Sequence, residues 1–372
     1  MSLGIAGMGW VTPLGSDLSG VWQSLLKGER ASVQSISSPL GRAYPVIPLA
    51  AERAPAHPRL RRSSAISRFA VTAGLAALED AKLTLGPETA MRTALIFAVS
   101  NGGVIYTKRF YNEIVESGAQ AASPLLFPET VFNAPASHMA AILGITGASY
   151  TLVGDGAVGI LALKMAEDLM ERETLDRCLV VGAEETDWLL CDAYHKWRLL
   201  RSAPPIEPFQ QPPRGTILSE GAGAVLLSRN GAVQVEKVVA GPNFRKQSEA
   251  ADSVEKVFTE LCEGEIDLVV ASANGTFIDA AERAAVLRNC PNAKVHAPKV
   301  ALGESVGASS LWQTICGAQS LRTQLVSPDA LSLKEDRTHL SNGPAKNEQL
   351  RRAVISVCGL NQQVAGLRLA GT

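Results

Sequence analysis

The sequence predicts a layered α/β protein with a largely parallel sheet, built from two halves of similar make-up. Three observations predict it. Short apolar runs alternate with stretches of helical periodicity along the chain, the pattern of strands joined by helices. At 372 residues the chain is long enough for two ordinary domains or one duplicated unit. The order of elements in the second half repeats, more briefly, that of the first, without a residue-level repeat. The composition agrees: 46% hydrophobic and 19% charged residues describe a chain with a sizeable core.

The elements follow in order. SLGIAGMGWV reads as a strand with a tight turn, and DLSGVWQSLLKG as a helix starting near Ser16 or Asp17 and stopped by Gly28. SRFAVTAGLAALEDAKL places Phe69, Thr72, Ala73, Ala76, Ala77 and Ala81 at helical spacing. TALIFAVSNGG, RCLVVGAEET and GAGAVLLS are continuous apolar strands. In the second half AVQVEKVVAG reads as a strand, EIDLVVASANGT as a buried strand running into a polar turn, and GASSLWQTICGAQSLR as a helix. AVISVCGL and QVAGLRLA read as closing antiparallel strands. The boundary between the halves falls at Ser228–Gln234, giving residues 1–230 and 231–372. Three segments read as long loops: 34–62 and 201–215, both rich in proline, and the polar stretch 327–348. Loops of this length serve a site or an interface.

Several function classes drop out. A net charge of -1 offers no global field for nucleic acid. No apolar run reaches the ~18 residues that span a bilayer. The start lacks the charged and apolar regions of a secretory signal, so a cytoplasmic location is expected. The six cysteines are scattered, with no Cys-x-x-Cys pair and no Cys/His cluster. They are expected to be reduced core thiols, and neither a metal nor a cofactor is expected. His138 and His195 are read as structural.

One stretch carries the functional question. ASYTLVGDGAVGILALKMAEDLM is a strand (Tyr150 to Val153), a glycine-punctuated turn, and a helix with Val158, Leu161, Ala162, Met165, Ala166 and Leu169 on one face. A side chain at such a turn sits at a helix N-terminus, where the dipole favours an anion or a thiolate. Here the turn offers Gly154, Asp155, Gly156 and Ala157. Asp155 reads as a helix cap.

In order along nearly the whole chain, the motifs resemble those of the β-ketoacyl synthases of the thiolase superfamily. GIAGMGWVTPLGSDLSGVWQSLLKG resembles that family's V-T-G-x-G-x-x-T-P-L-G start, and ISRFAVTAGLAALEDAKL its next helix. FNAPASHMAAILGITGASYTL is similar to the segment leading into the active-site turn. VVGAEETD, GTILSEGAGAVLLS and PKVALGESVGASSLWQTI resemble G-G-A-E-A, G-x-x-x-G-E-G-A-G-x-x-x-L and x-K-x-x-x-G-H-x-x-G-A-A-G. The resemblance implies a thiolase-like fold: five layers, α/β/α/β/α, in two duplicated halves.

Family members use a Cys nucleophile and two His, with a Lys supporting the second His. An activated thiolate takes the acyl chain and oriented imidazoles stabilise the decarboxylating extender. Carried over motif by motif, the resemblance places the Cys position at Gly156, the first His at Asn274 in SANGTFID and the second at Glu304 in LGESVG; only the Lys is kept, as Lys299. The closing Gly/Phe-rich strand is altered to SVCGLNQQ, leaving Cys358 and Asp155 as candidate pocket residues. Losing one group of a cooperating set costs orders of magnitude, so the family's condensation is not expected. Asn274 either holds the old His geometry or serves a plain turn. A buried Glu304 is expected to pair with Lys299 in preference to acting as a new acid or base.

The resemblance implies three roles. The first is an inactive subunit of the chain-length-factor type in fatty acid or polyketide assembly, forming a heterodimer with an active ketosynthase, although such subunits usually carry Gln where this chain has Gly156. The second is a hydrolase or lyase of different acyl chemistry using Glu304, Asn274 and Asp155. The third is a homodimer that binds acyl chains or acyl carrier protein. The basic run HPRLRRSS, His57 to Ser64, is either a solvated loop or a docking patch for an acidic carrier.

Overall fold

The computed structural model describes residues 3–50, 54–172, 175–333 and 349–371. The first half opens with β1 (Leu3–Val11) and α1 (Leu18–Leu26), whose N-cap is Asp17. A hairpin of β2 (Gln34–Ser37) and β3 (Ala43–Ile47) follows, then α2 (Ala65–Asp80), α3 (Pro87–Met91), β4 (Thr93–Val99), α4 (Val104–Ser117), α5 (Ala134–Leu143), β5 (Ser149–Val153), α6 (Val158–Arg172), β6 (Arg177–Glu184), α7 (Trp188–Lys196), β7 (Leu218–Ser219) and β8 (Gly221–Ser228). The second half runs β9 (Val233–Ala240), α8 (Ala250–Leu261), β10 (Leu268–Val270), α9 (Ile278–Asn289), β11 (Lys294–His296), α10 (Lys299–Leu302), α11 (Ser309–Thr323), β12 (Arg352–Cys358) and β13 (Val364–Gly371).

Among the described residues, ten strands form one sheet in the order β11-β10-β12-β13-β9-β1-β8-β6-β4-β5. Read outward from the centre, β1-β8-β6-β4-β5 and β9-β13-β12-β10-β11 place corresponding strands of each half at corresponding positions. The two meet where Leu3, Gly4 and Ile5 pair with Val235, Gln234 and Val233. The sheet is mixed rather than largely parallel. The outer three strands of each half are parallel to one another, while β8 and β13 run against both of their neighbours. For β13 the cause is local: only five residues separate it from β12, too few for a parallel crossover.

Layers follow from which faces the strands bury. In β4, Ala94, Ile96 and Ala98 point to a central core, while Leu95, Phe97 and Val99 point to an outer core beneath α2 and α5. In β12, Ala353, Ile355 and Val357 point to the same central core, and Val354 and Cys358 to an outer core beneath α8 and α9. This period-two division is what a sheet covered on both faces requires. Helices α6 and α11 touch strands of both halves and fill the central core. The result is α2/α5, sheet, α6/α11, sheet, α8/α9: five layers. Residues 309–321 of α11 are all buried, with the amide of Gln313 donating to Ser356 O at 2.9 Å and the Trp312 indole to Ala222 O at 2.8 Å. Gly7 and Gly9 of β1 let α2 lie directly on the strand, since a Cβ at either would collide with the carbonyl of Ala77 or Ala73.

Two expectations need correction. Residues 34–62 are not one long loop: β2 and β3 pair antiparallel, and β3 continues in parallel onto β7 as a three-stranded sheet. Pro45 sits within β3, opposite Ser35, so proline marks a short strand here and not its absence. Of the 327–348 segment, residues 334–348 lie outside the described residues; Leu331 pairs with Val295 of β11.

Candidate functional site

The turn between β5 and α6 sits against the β12–β13 hairpin. Val158 N bonds the main-chain oxygen of Asp155 at 2.8 Å as α6 begins. The Asp155 carboxylate does not serve simply as the expected cap. It accepts from Asn361 N at 2.7 Å and from Gly156 N, while Asp155 N donates to Gln363 Oε1 at 2.8 Å. The carboxylate thus fastens the turn to a hairpin of the other half. A Cβ at Gly359 in that hairpin would collide with Asp155 Oδ2, so any side chain there would displace the carboxylate. Gly156 is buried, and a Cβ there would lie 3.3 Å from Gly359 Cα, a contact that a shift of a few tenths of an ångström relieves.

Behind the turn lies a buried polar network. Asn274 follows β10, Lys299 opens α10, and Glu304 lies just before α11. Glu304 is held in place from its backbone: Glu304 N donates to Ile217 O, and Ser219 N to Glu304 O, both at 2.9 Å. Its Oε2 accepts from Lys299 Nζ and from Asn274 Nδ2, each at 2.7 Å. All three residues are at most 2% exposed. This is the ion pair the sequence predicts. A short contact plus a further hydrogen bond on Oε2 offsets part of the desolvation of the pair, while Glu304 Oε1 is buried without a partner. Asn274 Oδ1 accepts from Thr276 N and Oγ1, so its amide is used on both sides. Lys299 Nζ also donates to Ser272 Oγ at 3.2 Å, which in turn donates to Cys358 O at 3.1 Å.

Helix α9 supplies the supports. Asp279 accepts from Asn274 N, Gly275 N and Phe209 N, and Glu282 from Ser272 N. The proline-rich loop 201–215 therefore does serve the site, since Arg214 N and Gly215 N also donate to Gly275 O. Burial raises the pKa of Asp155 and Asp279, and pushes Glu184 and Glu282 up to about 7. The charge of Glu304 adds a smaller upward contribution to the shift of Asp155. The pKa of Tyr194 of α7 is raised by burial and then by the charges of Asp155, Glu184 and Glu304. Burial also carries the Cys358 thiol well above the thiol range, with Glu282 and Asp155 adding to it. Cys358 thus borders the network as a protonated thiol with its backbone on Ser272.

The turn and network bring Gly156, Asp155, Asn274, Glu304, Lys299 and Cys358 into one region. Glu184, Tyr194, Asp279 and Glu282 were not singled out from sequence. Signals existed: Glu184 ends an otherwise apolar strand, and Asp279 and Glu282 share a helix face just after Asn274. His138 contacts Glu129 at 2.7 Å and His195 lies beside Tyr44. Among the described residues no three His, Cys, Asp or Glu are arranged to hold a metal ion. No helix among them is long and apolar enough to cross a membrane.

Residues 50–232 match the family "Beta-ketoacyl synthase, N-terminal domain". This part of the chain is a β-ketoacyl synthase N-terminal domain. The chain is 24% identical to Nodulation protein E of Rhizobium leguminosarum bv. trifolii over 359 residues, 88% of each chain. With 3-oxoacyl-[acyl-carrier-protein] synthase 2 of Coxiella burnetii it shares 25% identity over 236 residues, 60% of this chain and 56% of that protein. Among solved structures, the ishigamide ketosynthase/chain length factor superposes with a TM-score of 0.85 at 18% identity, covering 100% of this chain and 99% of that one. A ketosynthase in complex with its chain length factor from Xenorhabdus doucetiae gives 0.79 at 16% identity, covering 100% and 98%. These likenesses fix the chain's fold as the thiolase-like one.

Proposed function

We propose that this chain is a non-catalytic subunit of the chain-length-factor type, acting in fatty acid or polyketide assembly beside an active ketosynthase whose acyl pocket it shapes. One observation carries the reading. Glu304 has joined Lys299 and Asn274 in a buried network, and the motif resemblance sets Gly156, Asn274 and Glu304 at the positions of the family's Cys, His and His. No thiolate is available at the turn to hold an acyl chain, and no imidazole to stabilise an enolate. The chain's halves are taken as residues 1–230 and 231–372, which accords with the matching strand orders.

Pairing is supported by one face of the molecule. Strand β5 is the edge of the sheet, with Tyr150 38% and Val153 52% exposed. Beside it, small residues of α5 and the edge of β5 line a groove of about 710 Å³. Helix α4 has no buried residue, and Tyr111, Val115, Leu125, Phe127 and Phe132 add exposed apolar area. Exposed edges and patches of this kind mark an interface. The structural likeness to ketosynthase/chain length factor complexes supports the choice of partner. An acyl carrier protein would then meet the pair, and the exposed arginines 59, 61 and 62 offer it a basic surface.

The test is co-expression with an intact Cys-His-His synthase encoded nearby, followed by a condensation assay with carrier-bound malonyl units. A stable one-to-one complex is expected, with product length changing when residues of this subunit at the interface are altered. A homodimer that ignores the synthase, or turnover of an acyl ester by this chain alone, would overturn the reading.

A further inference from the structure

Four of the six cysteines, together with Cys290, are buried; Cys262 alone is partly exposed. Cys262 closes α8 and Cys290 closes α9. The N–H of Cys262 bonds Phe258 O at 2.8 Å, and that of Cys290 bonds Val286 O at 2.9 Å. The two helices pack side by side as the outer layer of the second half. Each helix leads directly into one of the paired parallel strands β10 and β11, so both end at the same edge of the sheet; Glu255 of α8 also reaches Arg288 of α9 at 3.1 Å and Asn289 at 3.0 Å. There the Cys262 side chain lies near enough to Cys290 to raise its proton affinity, which burial raises further. Cys262 is the thiol that reaches solvent. Neither cysteine takes part in the network around Glu304.

We propose that Cys262 and Cys290 are a redox-modification site: a two-electron oxidant of the peroxide class converts them to a reversible disulfide that staples α8 to α9. In the first step the Cys262 thiolate attacks the peroxide O–O bond; an S–O bond forms, and the departing oxygen leaves as water after taking a proton. In the second step the Cys290 sulfur attacks the sulfenic sulfur. The S–S bond forms, the S–O bond breaks, and the hydroxyl leaves as a second water with the Cys290 proton. Two thiols lose two electrons and two protons, and hydrogen peroxide becomes two waters. The high proton affinity of Cys290 makes this a slow response that relies on the proximity of the two thiols.

The position gives the staple a consequence. The first turns of α9 carry Asp279 and Glu282, which hold the backbone N–H groups of Asn274, Gly275 and Ser272. Fixing the last turn of α9 to α8 therefore restrains the helix that positions the site. This inference does not depend on the proposed pairing role, because it can be read on the isolated chain.

The native protein is treated with hydrogen peroxide, then mapped by non-reducing tryptic digestion and mass spectrometry beside a thiol count. The expected result is a fall from six thiols to four, a peptide joining Cys262 to Cys290, full reversal by dithiothreitol, and a rise in Tm on oxidation. The C262S variant, altered at a half-buried position, should keep six-minus-one thiols and show no rise in Tm. Oxidation of Cys262 to sulfinic acid without a bond to Cys290, cross-linking between chains, or a thiol count that stays at six under peroxide sufficient to oxidise free dithiothreitol would each overturn the proposal.

Discussion

Glu304 and Lys299 share a 2.7 Å contact out of reach of water, and this decides how each can be replaced. Removing one partner leaves an uncompensated buried charge, so Glu304→Leu or Lys299→Met should each lower stability by about 3–5 kcal/mol. The double variant removes both charges and should recover most of that loss, a coupling that a double-mutant cycle by urea denaturation reads directly. Additive losses would mean that the two residues do not act as a pair. This contact was legible through the family resemblance, which sets Lys299 and Glu304 at one pocket, where a buried carboxylate must find a partner. The role of Asp155 was not. Its partner Asn361 is 206 residues away, and no local pattern distinguishes a carboxylate that caps its own helix from one that ties down a distant hairpin. Tyr194 escaped for the same reason: what makes it part of the site is three carboxylates from three other segments.

At the scale of elements, legibility followed burial. Strands β4, β6 and β8 and helix α11 are covered all round, so their apolar runs announce them. Helix α8 carries Val254, Val257, Phe258 and Leu261 on one face, a clear signal that the sequence reading passed over. Helix α4 is the opposite case: it has no buried residue, so there is no core-facing stripe to read. An element that gains so little from its own chain is the one expected to gain from another. Placing a charge on the exposed sheet edge, as in Val153→Lys, should block strand pairing while leaving the isolated fold almost unchanged. Size-exclusion chromatography with light scattering on the co-expressed pair would show loss of the complex, and a thermal melt would show a Tm close to that of the parent. A complex that survives the substitution would place the interface elsewhere.

At the scale of the whole molecule, element order alone pointed to two similar halves, while the five layers came only through the family resemblance. Composition and periodicity do not reveal that α6 and α11 belong to both halves at once. That shared core has an electrostatic consequence, because the carboxyls beside it titrate far from water. Burial pushes Glu184 and Glu282 from 4.5 up to about 7. Each is protonated in the folded chain where it would already be ionised in the unfolded one. The stability each contributes is full below pH 4.5 and falls as pH rises to about 7, by about 3 kcal/mol per group. His296 opposes them: burial lowers it from 6.5 to about 4, so its contribution is full above 6.5 and lost as pH falls through 4. Two falling terms outweigh one rising term between pH 4.5 and 6.5, and above 6.5 the carboxyls act alone. Urea midpoints should therefore be higher at pH 5 than at pH 8, toward the acid end of the range usual for globular proteins. Glu282→Gln keeps an acceptor for Ser272 N without the ionisation, so it should flatten the curve and gain most over the parent at pH 8. A parent midpoint that rises from pH 5 to pH 8, with Glu282→Gln running parallel to it, would show that these carboxyls are ionised in the folded chain and that the region around Gly156 is wetter than its packing implies.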